Sequence, residues 1–207
     1  MTDTATLHLR TLAAVALFAE GPRAQTHRPQ LRGVNITTER HHTTYVATDG
    51  AALLAVRRPA ANTLLGSWII PADKVAVLKA PARGADEAEL SVTADGWMQI
   101  MTPDGSRVPF QPIDMPFPGW RAAVPHSPTN EPAAYDPDYL ARMHKAAKLG
   151  NLGEVQMTQN GELYPAIFTF AVAGEDALGL VMPLRRTATA TPYREAPVIP
   201  GWAFANA

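Results

Sequence analysis

The sequence predicts an α+β protein: antiparallel sheets with a few short helices, arranged as three helix-plus-sheet units. Asp-Gly or Asn-Gly pairs stand at Asp49-Gly50, Asp95-Gly96, Asp104-Gly105 and Asn160-Gly161, and such pairs supply the positive φ that tight antiparallel turns require. Alternating apolar residues flank them: Leu90 and Val92 before the second pair, Met98 and Ile100 after it, Val108 and Phe110 after the third, Val155 and Met157 before the fourth. That period of two marks half-buried strands. The 19 prolines among 207 residues are about twice the usual ~5%, which disfavours long helices and favours short elements joined by sharp turns.

Taken in order, the first helix is expected over 9–20. Leu9, Leu12, Ala13 and Ala16 keep helical spacing there, and Gly21-Pro22 ends the run. Strands are expected over 31–38, 43–48, 53–57 and 68–70. A second helix over 72–79 is opened by Pro71 and closed by Pro81, with Val75 and Leu78 three apart. The third helix is the best signalled: Asp136 can cap it, Pro137 fits its first turn, and Leu140, Met143 and Ala147 share one face. Strands over 167–173 and 178–184 complete the set. Helix starts near Leu9, Ala72 and Asp136 recur at ~60 residues, an architectural repeat with negligible identity between units. The expected organisation is a two-unit domain over 1–125, a Pro-rich linker over 126–132, a half-domain over 133–187 and a Thr/Ala/Pro-rich tail over 188–207.

A net charge of −1 and a pI near 6.6 leave no global basic field to draw in nucleic acid or an anionic membrane. The absence of cysteine excludes disulfides, thiolate metal sites and Cys nucleophiles. No apolar run approaches the ~18 residues of a membrane span, and no leader is evident, so a cytoplasmic protein is expected. Catalysis has no support, because no G-x-S-x-G, glycine-rich phosphate loop or H-E-x-x-H occurs. His41 and His42 adjoin on an extended segment and should face opposite ways, which prevents joint chelation of a metal. Asp49 and Asp95 read as turn residues. No enzyme, cofactor or metal is expected.

Five segments in order carry a resemblance. Leu31-Arg32-Gly33-Val34, followed by Ala47-Thr48-Asp49-Gly50 and Leu53, Ala55 and Val56, resembles the second domain of the bacterial sliding clamp, the beta subunit of DNA polymerase III. Trp68-Ile69-Ile70-Pro71-Ala72, Phe117-Pro118-Gly119-Trp120-Arg121, Tyr135-Asp136-Pro137-Asp138-Tyr139-Leu140 and Val181-Met182-Pro183-Leu184-Arg185 are similar to later clamp segments. The family carries six helix-plus-sheet units against three here. Its usual His-Arg after Asp-Gly is replaced by Ala51-Ala52, and a later Arg-Val by Ala122-Ala123.

The resemblance implies the DNA-clamp fold and a non-catalytic tether for replication or repair proteins. It also implies a cleft for linear peptide motifs at Leu31, Thr48, Gly50, Leu53, Pro118, Met182, Pro183, Leu184 and Arg185. Double-stranded DNA would face helix-borne cations, here Lys79, Arg142, Lys145 and Lys148. The alternative is a clamp-like module that does not encircle DNA and competes for clamp partners. An unpaired third unit should expose Leu140, Met143, Val155, Met157 and Phe168, and at ~1.5–3 kcal/mol per large apolar side chain this favours a homo-oligomer, a dimer or a tetramer. The apolar stretch 196–204 lacks the Gln with which the family's cleft motifs begin, so it is expected as a surface tail packed on its own subunit, with docking as a peptide the alternative.

Overall fold

The computed structural model describes residues 2–21, 27–78, 86–170 and 176–185. The tail at 188–207, Lys79 and the last residues of the strand expected over 167–173 lie outside them.

The chain opens with a strand outside the expected set, β1 (Thr4–His8), whose alternating Ala5 and Leu7 are buried. It runs straight into α1 (Leu9–Ala16), capped by His8, whose Nδ1 accepts from the Thr11 amide at 3.2 Å. Strands β2 (Gly33–Glu39), β3 (His42–Thr48) and β4 (Ala52–Pro59) come next as a meander. β5 (Gly66–Pro71) then leads into α2 (Ala72–Val77) and strands β6 (Glu87–Val92), β7 (Met98–Met101) and β8 (Arg107–Phe110). The glycines of all four Asp-Gly and Asn-Gly pairs have positive φ, from 70° to 96°.

α3 (Pro137–Gly150) begins as its sequence foretold, with Asp136 Oδ1 accepting from the Asp138 amide at 2.9 Å. Asn151, at φ 53°, ends it in the left-handed region. β9 (Val155–Thr158), β10 (Ala166–Phe170) and β11 (Asp176–Val181) close the described fold.

These strands form two antiparallel sheets. One has four strands in the order β1-β6-β7-β8, the other seven in the order β5-β2-β3-β4-β11-β10-β9. The larger sheet crosses the expected 126–132 linker, because β11 pairs with β4 from Asp176↔Arg57 to Val181↔Ala52. The linker is itself stitched to the β9–β10 loop. Asn160 Oδ1 accepts from the Thr129 amide, and the Gly161 amide donates to Glu131 O, both at 2.9 Å.

The expectation of an exposed third unit is corrected by this pairing. α3 lies on α1, and Met143, Leu152 and Phe168 join Leu12, Phe18, Ile36, Tyr45, Leu54, Leu90 and Ile100 in one core. Two glycines allow that close seating. A Cβ on Gly179 would come 2.5 Å from Met143 Cε, and one on Gly150 would come 3.1 Å from Ala14 Cβ. Met143 and Phe168 are therefore buried and Leu140 half-buried. Of the five side chains expected in the open, only Val155 and Met157 remain so, on edge strand β9.

The other face of the large sheet carries a small second cluster of Val46, Leu53, Ala55 and Leu180. It is roofed by Phe117, Trp120 and Val124 from the segment after β8.

Candidate functional site

The β4–β11 seam brings together residues that are far apart in sequence. At its upper end the chain turns from β3 to β4 through Thr48, Asp49 and Gly50. Thr48 Oγ1 donates to Ala52 O at 2.8 Å and accepts from the Gly50 amide at 3.0 Å. Asp49 Oδ1 accepts from the amides of Ala51 and Ala52, each at 2.9 Å. Gly50 sits at φ 96°, and a Cβ there would also meet Arg28 Nη1 at 2.9 Å, so both the turn and the packing call for glycine. Across the seam the Met182 amide donates to Ala51 O at 2.8 Å, tying the end of β11 to the turn.

These groups enclose a hollow of about 60 Å³. Of the expected cleft residues, Thr48, Gly50, Leu53 and Met182 line it. Ala51, Ala52, Ala123, Pro165 and Leu180 complete it. The lining is predominantly apolar, and the size suits one aliphatic side chain rather than a cofactor, whose pockets run ~300–1,000 Å³.

The remaining expected cleft residues stand elsewhere. Leu31 is buried in the short 3-10 turn Pro29–Leu31. Pro118 is exposed on the roofing segment, Pro183 is buried, and Leu184 and Arg185 are exposed beyond the hollow. Leu180 was missed, although its i, i+2 relation to Met182 is the strand signal that places both on one face. Pro165 carried no such signal.

Helix α3 shows Lys145, Lys148 and His144 to solvent. Arg142 does not join them. The stripe that α3 buries is Met143, Ala146, Ala147 and Gly150, rotated from the Leu140-Met143-Ala147 face that spacing suggested. This turns Arg142 toward the β3–β4 turn, where its Nη1 donates to Asp49 Oδ2 at 2.6 Å. Its guanidinium lies 4.8 Å from the Tyr139 ring centre and 5.8 Å from that of Phe18. Burial, followed by the Asp49 charge, pushes the Tyr139 phenol above its ordinary pKa.

A larger hollow, about 420 Å³, lies further along the seam between Trp120, Arg121, Phe170 and Asp176. Arg121 covers the Trp120 ring there at 4.6 Å, and Arg57 pairs with Glu39 at 3.4 Å. No expected site residue borders it. Among the described residues, no group of three or more acidic or histidine side chains is placed to hold a metal, and no helix is long and apolar enough to cross a membrane.

No protein-family model and no curated protein matches this sequence. Solved structures do. The DNA polymerase III beta chain of Streptococcus pneumoniae TIGR4 superimposes with a TM-score of 0.73 over 90% of this chain, at 14% identity. The fold is that of a sliding clamp. The match covers 66% of the Streptococcus chain, so the present sequence spans a little under two thirds of that protein. In this chain the hollow at the β4–β11 seam opens on the sheet face opposite the one the helices cover.

Proposed function

We propose that the chain is a non-catalytic, clamp-like tether that captures short apolar peptide motifs at the β4–β11 seam and associates with double-stranded DNA through α3. The observation that carries this reading is the convergence of Thr48, Gly50, Leu53 and Met182, from two distant parts of the chain, on one apolar hollow. A Leu or Phe anchor on a partner fits such a wall, and Met182 can adapt to several shapes. Ala51, Ala52 and Ala123 leave the rim short and uncharged, so affinity rests on the anchor rather than on polar contacts.

The clamp resemblance implies motifs that begin with Gln, so a fluorescent peptide that begins with Gln and ends in a Leu-Phe anchor tests the cleft by anisotropy. Leu53→Ala and Met182→Ala are each expected to weaken binding about tenfold, which corresponds to ~1.4 kcal/mol. Binding untouched by both substitutions places the peptide elsewhere and sinks the cleft assignment.

For DNA, Lys145 and Lys148 are the exposed candidates on α3. Lys79 remains a candidate from sequence. A second reading, a module that captures peptides without encircling DNA, is favoured by one observation: Asp49 already engages Arg142, which thins the basic face. Retention on circular but not on linear duplex supports an encircling homo-oligomer. Equal behaviour on both supports the non-encircling module.

A further inference from the structure

Helical spacing puts Arg142 on the outer face of α3, where the clamp resemblance implies a phosphate contact, yet the structure gives it another occupation. Its guanidinium is three-quarters withdrawn from water, lies against Tyr139 and Phe18, and is committed to Asp49. Asp49 in turn uses its second oxygen to hold the amides of Ala51 and Ala52, both of which line the hollow. Ala51 then offers its carbonyl to the Met182 amide on the opposite wall. A single chain of contacts thus runs from α3 through one carboxylate into both walls of the cleft.

We propose that Arg142 is a positioning residue for the cleft, rather than a DNA contact, and that it makes α3 and the peptide site one mechanical unit. This rests on the peptide-capture reading above. The physical case is that a carboxylate at a turn tip is free to rotate into water. Holding one oxygen in a charge-assisted bond at 2.6 Å fixes the rotamer in which the other oxygen caps both amides. Arg28 grips the same turn from its other side, donating to Asp49 O at 3.3 Å and to Glu20 Oε1 at 3.0 Å. That grip is on the backbone, so it does not set the carboxylate. A lysine at 142 would keep the charge but lose the flat stacking on Tyr139.

The test uses the full chain and two readouts, amide hydrogen exchange and binding of the labelled Gln-to-Leu-Phe peptide. Arg142→Gln should speed exchange at Ala51 and Ala52 about tenfold while Tyr45 and Leu90 in the core keep their protection. It should weaken the peptide by a similar factor. Arg142→Lys should recover most of both effects. Asp49→Asn, which retains the amide-capping oxygen, should give an intermediate loss. Lys74→Gln, which removes the same unit charge on α2, should change neither readout.

Exchange at Ala51 and Ala52 that is unchanged in Arg142→Gln overturns the proposal, as does a uniform rise across the whole sheet, which marks general destabilisation. Equal effects from Lys74→Gln and Arg142→Gln would reduce the role to bulk electrostatics and overturn it as well. If the peptide binds no form of the chain, the capture reading falls, and the exchange data alone still decide whether Arg142 holds the turn.

Discussion

His8 holds the junction between β1 and α1 as a neutral ring. Its Nδ1 accepts from the Thr11 amide, and its backbone amide donates to the buried Tyr45 hydroxyl at 2.8 Å. Burial first, and the nearby Arg58 charge second, hold its pKa down at about 4 from an ordinary 6.5. Asp86 Oδ2, at 3.8 Å from Nε2, pulls the other way but is too distant to win. Because the unfolded chain takes up this proton more readily, the contribution to stability is full above pH 6.5 and is lost as pH falls toward 4. The loss should be on the order of 2 kcal/mol, allowing for the ring's partial contact with water. His8→Asn keeps a capping acceptor without the titration, so melting curves taken between pH 6.5 and 4 should be flatter in that variant. At the start of α3, Asp136→Ala removes the cap and should cost about 1 kcal/mol, read as a fall in denaturation midpoint with unchanged m-value.

At the scale of elements, the close approaches decide what can change. A Cβ on Gly33 would fall 2.5 Å from the Ile70 carbonyl oxygen, a backbone atom that cannot yield without opening the β2–β5 ladder. One on Gly179 would strike the tip of Met143, a flexible side chain that can swing. Gly33→Ala should therefore destabilise the protein more than Gly179→Ala, with the latter costing ~1–3 kcal/mol. Paired urea melts give the order directly.

The same contacts show what periodicity could and could not reveal. The cap at Asp136, the four glycine turns and the strands around them are local choices written in a few adjacent residues. β1 was missed although Thr4–His8 alternates polar and apolar residues, because the five-residue signal runs without a turn into α1 and its partner β6 lies about eighty residues away. The site divides in the same way. Thr48, Gly50, Leu53 and Met182 were expected from the resemblance and line one hollow, whereas the turning of Arg142 toward Asp49 depends on α3 seating against α1 by way of Gly150, a tertiary event that no window of sequence contains.

For the whole molecule, the free edges of the sheets matter most. β1 is blunted along its open side: the Thr63 and Leu64 amides donate to Thr4 O, and the Thr6 amide donates to Asn62 Oδ1. β5 is met by the Ile113 amide at Ile69 O, and β8 carries Pro109, which cannot donate. β9 presents Val155 and Met157 at 40% and 39% exposure. If the chain forms a homo-oligomer, β9 is the edge through which it should pair. Val155→Lys combined with Met157→Lys should then shift light-scattering mass toward the monomer, and an unchanged mass would place the contact on another edge.

The bond between the Met182 amide and Ala51 O has one more consequence. It pins the polypeptide at the lip of the hollow, only a few residues before Arg185. Any segment joined beyond Arg185 by a short pliant stretch is presented to that hollow at a local concentration on the order of millimolar. A peptide fused a few residues beyond Arg185 should therefore bind the seam more tightly than the same peptide supplied free, with no new contact in the walls.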